Sequence, residues 1–118
     1  RDAGAIAMSQ ANAERAGVAA ITGFSQRLAA ECTPPEGPPG LVIVNPPYGD
    51  RIGDKGRLSG VYKVLGETLM TRFGGWRVGL ITSDSALAKA TRLPFLPPSQ
   101  PVAHGGLRVT LYRTDTLP

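Results

Sequence analysis

Asn45, Pro46, Pro47 and Tyr48 follow directly on four apolar residues, Leu41-Val42-Ile43-Val44. Together they offer an amide, two rigid main-chain carbonyls and an aromatic ring. Those groups suit the capture of a planar ring that bears an exocyclic amino group. The Asn45 side-chain carbonyl can accept one N–H of such an amine, and the Pro46 main-chain carbonyl can accept the other. The fixed φ of two successive prolines keeps both acceptors in place before a ligand arrives. Tyr48 can stack on the ring. No strong base is required, because an amine of this kind becomes acidic only as it is alkylated. The plainer alternative is a strand ended by a Pro-Pro turn that only packs. That reading suits Pro-Pro alone better than it suits Asn-Pro-Pro-Tyr at the end of a strand.

The elements around these residues follow from the pattern. Leu41–Val44 reads as a strand buried on both faces, stopped by Pro46 and Pro47, which cannot donate to a ladder. In open α/β sheets the carboxyl end of a strand is where ligands bind. Downstream, Gly53-Asp54-Lys55-Gly56-Arg57 reads as a polar loop. Leu58, Val61, Tyr62, Leu65, Leu69, Met70 and Phe73 then make one stripe of an amphipathic helix, ended by Gly74-Gly75. Within that stripe Tyr62 is read as a core residue. Trp76–Thr82 is a second strand, and Ser83 or Asp84 can cap a short helix through Ala90. Pro94 to Pro101 is a loop. Residues 101–103 and 107–112 form a closing antiparallel hairpin through His104-Gly105-Gly106, with His104 a turn residue.

Upstream, Asp2 is an N-cap signal for a helix over Ala3–Ala16, with Gly17 as its C′ residue. Ala3, Ala7 and Ala11 share a face that can pack closely on a sheet. Ala19–Ser25 reads as a strand weakened by Gly23. Thr33 to Gly40, with four prolines and two glycines, is a loop.

Asn45-Pro46-Pro47-Tyr48 resembles the (Asp/Asn)-Pro-Pro-Tyr motif of S-adenosylmethionine-dependent amino-methyltransferases. The continuation Gly49-Asp50-Arg51 is similar to that of the guanosine-N2 RNA methyltransferases associated with THUMP RNA-binding domains. The resemblance runs from Asp2 to Tyr112. It implies an α/β, Rossmann-like class I methyltransferase fold, S-adenosylmethionine as cofactor, and ribosomal or transfer RNA as partner. It implies Asn45 and Pro46 as catalytic acceptors, with Pro47, Tyr48 and Arg51 binding substrate. Arg51 is equally suited to a salt bridge with Asp50 or Asp54. Asp2 and Asn45 would face the cofactor, Asp2 through its ribose, a role compatible with capping. Arg27 stands where the family carries an Asp near the adenine. No glycine-rich loop follows a strand and opens a helix, so the first two strands and that loop are expected upstream of Arg1. This piece alone is then inactive. The chain would supply the family's third to seventh strands, as the C-terminal portion of one catalytic domain over residues 1–118. The expected order is third-fourth-fifth-seventh-sixth, with the Ile21 strand sliding in beside the Leu41 strand. The exposed edge would favour a homodimer.

Composition is compatible with this reading. At 118 residues and 42% hydrophobic content, one domain with a core is the most the chain can build. Ten Arg and three Lys give a net charge of +4, which suits a polyanion, although the charge is scattered. Cys32 is the one cysteine, which excludes an internal disulfide and fits a reducing, cytoplasmic setting. No apolar run is long enough to span a membrane, so no membrane partner is expected. Three other readings remain open. They are an adenine-N6 DNA methyltransferase, a protein glutamine-N5 methyltransferase, and a noncatalytic, self-associating fragment.

Overall fold

The computed structural model describes residues 2–48 and 55–118. These fall into two units, Arg1–Cys32 and Thr33–Pro118. Gly49, Asp50, Arg51 and the Gly53-Asp54 part of the anticipated loop lie outside the described residues.

The first unit is built on α1, Ala3–Ala16. Its start is fixed by Asp2, whose Oδ1 accepts from the Gly4 and Ala5 amides at 2.8 and 3.2 Å. A carboxylate there also opposes the positive end of the helix dipole. Gly17 ends the helix at φ 77°. The Gly17 amide donates to the Glu14 carbonyl at 3.1 Å and the Val18 amide donates to the Ala13 carbonyl at 2.9 Å. This pair of bonds is a Schellman motif, for which a left-handed glycine is the natural residue. The chain folds back over the last turn, so Ala13 is buried while Ala3 and Ala7 are exposed.

No strand forms over Ala19–Ser25. Ala19–Ile21 is a turn of 3-10 helix, and the Ile21 side chain is 83% exposed. The Ile21 strand and its ladder with the Leu41 strand are therefore corrected, and so is the sheet order that began with it. Strand structure comes from a neighbour's ladder, and here local bonds win instead. The Thr22 hydroxyl donates to the Val18 carbonyl at 2.9 Å, a side-chain bond that competes with extension. Arg27 lies in the irregular, exposed stretch that follows. Cys32 is half-buried, its Sγ 3.7 Å from the Leu28 carbonyl oxygen, as suits a packed thiol.

The second unit carries a four-stranded sheet in the order β1-β2-β4-β3. β1 is Leu41–Val44, β2 Arg77–Thr82, β3 Val102–His104 and β4 Leu107–Arg113. β1 and β2 are parallel, with Leu41 opposite Arg77 and Val44 opposite Leu80. A parallel pair needs a long crossover, which α2, Lys55–Arg72, supplies. The helix thus begins inside the stretch read as a polar loop, at Lys55. β4 pairs antiparallel with both β2 and β3. The β3–β4 turn is Gly105-Gly106, with φ 55° and 81°. Two positive φ values make a type I′ turn, and His104 sits in the strand, paired with Leu107.

The core lies between the sheet and α2 with α3, Ser85–Ala90. Tyr62, Leu80, Leu87 and Ala88 form its centre, and Val44, Tyr48, Leu58, Leu65, Phe95 and Tyr112 pack around them. The expectation that β1 is buried on both faces is corrected. Leu41 and Ile43 are 51% and 59% exposed, while Val42 and Val44 are half-buried. Alternate strand residues point to opposite faces. Among the described residues, β1 pairs only with β2, and the face bearing Leu41 and Ile43 has no helix of this unit over it. α2 and α3 meet at Gly66, where a Cβ would lie 1.9 Å from the Thr91 carbonyl oxygen.

Candidate active site

β1 ends at Val44, level with Leu80 of β2. The next residue, Asn45, is exposed at the carboxyl end of the parallel pair. Pro46 is buried, Pro47 is exposed, and Tyr48 is half-buried against the core. All peptide bonds among the described residues are trans, so the Pro-Pro step is extended by its own ring geometry. The described residues therefore bring together Asn45, Pro46, Pro47 and Tyr48, an amide and aromatic constellation with no charged group among them. Arg51 lies outside the described residues. Asp2 belongs to the other unit, where its Oδ1 caps α1.

Sequence reasoning missed two residues at this loop. The Tyr62 hydroxyl, on a fully buried side chain, donates to the Pro47 carbonyl at 2.9 Å. It also lies 3.0 Å from the Oγ1 of Thr82, the last residue of β2 and likewise fully buried. Thr82 Oγ1 in turn accepts the Asp84 amide at 3.3 Å. The Asp84 carboxylate caps α3 through the Ala86 and Leu87 amides. Burial pushes the Tyr62 hydroxyl's pKa up, and the nearby Asp84 and Tyr48 reinforce that against the opposing Thr82 bond. Tyr62 is thus a neutral donor at physiological pH. The only signal in the sequence was a polar tip inside an apolar stripe. Among the described residues, no group of three or more His, Cys, Asp or Glu could hold a metal.

Residues 1–99 match the family described as the RMKL-like methyltransferase domain. The chain belongs to this family. Ribosomal RNA large subunit methyltransferase K/L of Chromohalobacter salexigens is 44% identical over 91 residues, which is 75% of this chain and 12% of that protein. The chain spans about an eighth of the length of the curated relatives it matches. Among solved structures, a possible methylase from Clostridium difficile 630 aligns with a TM-score of 0.81 at 27% identity, covering 96% of this chain and 29% of that one. SMU.472 complexed with SAH aligns with a TM-score of 0.85 at 22% identity, covering 99% of this chain and 30% of that one. The sheet of Thr33–Pro118 is accordingly part of a class I methyltransferase fold, and family membership places Asn45-Pro46-Pro47-Tyr48 on a methyltransferase scaffold.

Proposed function

We propose that this chain is the C-terminal portion of a catalytic domain that methylates the exocyclic N2 amine of guanosine in ribosomal RNA. The observation that carries this reading is the exposed Asn45 followed by buried Pro46 at the carboxyl end of a parallel strand. The relatives' name, ribosomal RNA large subunit methyltransferase, supports the choice of RNA over DNA or protein. So does the Gly49-Asp50-Arg51 continuation. Transfer RNA is the alternative substrate of the same chemistry. The site of action is the cytoplasm, where ribosomal RNA is found.

An uncharged acceptor set with no nucleophile fits a site beside a methyl donor. S-adenosylmethionine, when bound, supplies the electrophilic methyl group; the SAH held by a structural neighbour is the corresponding product. Asn45 would face it. The chain's own residues orient the amine. The Asn45 side-chain carbonyl and the Pro46 carbonyl accept its two N–H groups, which turns the nitrogen lone pair outward. As the nitrogen gains positive charge the held protons become acidic, and one leaves to solvent. Tyr48 keeps the base plane fixed by stacking. Arg51 contributes a phosphate or guanine-edge contact.

In the full-length enzyme, Asn45→Ala removes one preorganised acceptor. Turnover on ribosomal RNA should fall by roughly a hundredfold or more, with cofactor affinity little changed. Normal methylation by this variant would show the assignment of Asn45 to be wrong.

A further inference from the structure

We propose that Tyr62 and Thr82 are positioning residues whose hydrogen-bond chain into the Pro47 carbonyl aims Tyr48. The inference rests on the proposed function, because it deepens the role given to Tyr48.

Directionality follows from the two ends. The Asp84 amide can only donate, and the Pro47 carbonyl can only accept. Tyr62 gives its single hydroxyl proton to Pro47, so Thr82 must give its own to Tyr62 and accept from Asp84. Each hydroxyl is thereby used as both donor and acceptor, and the chain has one direction.

What this chain controls follows from counting torsions. The φ of Pro46 and of Pro47 are locked by their rings. Asn45 and Pro46 each precede a proline, which restricts their ψ to the extended region. Between the Asn45 Cα and the Tyr48 amide, the ψ of Pro47 is the one rotatable backbone torsion without such a restraint. It sets where the Pro47 carbonyl points and, on the other side of the same peptide plane, where Tyr48 begins. The Pro47 ring is exposed and does not hold it. The Tyr62 hydroxyl does, together with the packing of Tyr48 against the core. A phenylalanine would fill the same core space, so the hydroxyl's buried position is explained by this bond and not by packing.

Two measurements test the inference. Pro-Tyr occurs once in the chain, at Pro47-Tyr48. Proline labelled with ¹³C at the carbonyl and tyrosine labelled with ¹⁵N therefore give a single carbonyl–amide peak for this chain. Tyr62→Phe should move that peak upfield in carbon and broaden it. Thr82→Val should do so to a smaller extent, and Thr82→Ser, which keeps the hydroxyl, should restore it. An unmoved peak in Tyr62→Phe overturns the inference. In the full-length enzyme, Tyr62→Phe should lower kcat/KM for ribosomal RNA by about tenfold to a hundredfold, with KM for the cofactor within about twofold. The Tyr62→Phe/Thr82→Val double variant should be no worse than Tyr62→Phe, because one chain is broken once. Wild-type kcat/KM in Tyr62→Phe, or multiplying losses in the double variant, overturns it. If the wild-type enzyme leaves RNA unmethylated, the proposed function fails, and the labelled peak still decides whether Tyr62 sets the Pro47-Tyr48 peptide.

Discussion

At the residue scale, the site is a contest between rigidity supplied by covalent structure and rigidity supplied by hydrogen bonds. Asn45 and Pro46 owe their placement to neighbouring proline rings, whereas Tyr48 depends on a bond from Tyr62 to the Pro47 carbonyl. Burial of Tyr62 has a consequence for pH. Its folded-state pKa is raised, chiefly by desolvation, above the ordinary value of 10.0. Below that value both folded and unfolded states hold the proton, and the stability is fully present. Above it the unfolded state releases the proton before the folded state does, so stability falls as pH rises through the folded value. Urea unfolding of wild type and Tyr62→Phe across alkaline pH should show a steeper loss in the wild type. Parallel profiles would place the Tyr62 hydroxyl in contact with solvent.

At the element scale, helices and turns were legible because their signals are local. Asp2, Gly17, Asp84 and the Gly105-Gly106 pair act within a few residues of themselves, and each does in the fold what its type suggests. Strand status was not legible in the same way. Ala19–Ser25 has tolerable strand composition, but a ladder needs a neighbour, and local bonds took the segment instead. The burial of β1 was misread for the same reason: four apolar residues state a preference, and only packing decides how many faces are covered. The motif itself was legible because each of its four residues has few roles. The bracing by Tyr62 was not, because a tyrosine at core spacing looks the same whether or not its hydroxyl holds a loop. The α2–α3 contact gives a test at this scale. Gly66→Ala would push a methyl into the Thr91 carbonyl, a backbone atom that cannot swing away. Unfolding free energy should fall by about 3 kcal/mol, the upper part of the usual range for overpacking. A loss under roughly 1 kcal/mol would mean that the two helices separate easily.

At the scale of the whole molecule, the described sheet is part of a class I methyltransferase fold, and no glycine-rich loop in this sequence follows a strand and opens a helix. The isolated chain should bind S-adenosylmethionine weakly or not at all by calorimetry; a micromolar dissociation constant would mean that these residues suffice. Leu41 and Ile43, exposed beside the outer edge of β1, favour pairing with another strand, and we expect the isolated chain to self-associate in sedimentation equilibrium. A monomer at all concentrations would speak against that edge as a sticky surface. Which atom receives the methyl group decides the proposed function. The direct measurement is to incubate the full-length enzyme with isotopically labelled S-adenosylmethionine and ribosomal RNA, genomic DNA or protein in turn. Digestion to nucleosides or peptides and mass spectrometry then locate the label. Label in N2-methylguanosine from RNA is the predicted result; label in N6-methyladenine of DNA or on a glutamine side chain, with RNA unlabelled, would contradict it.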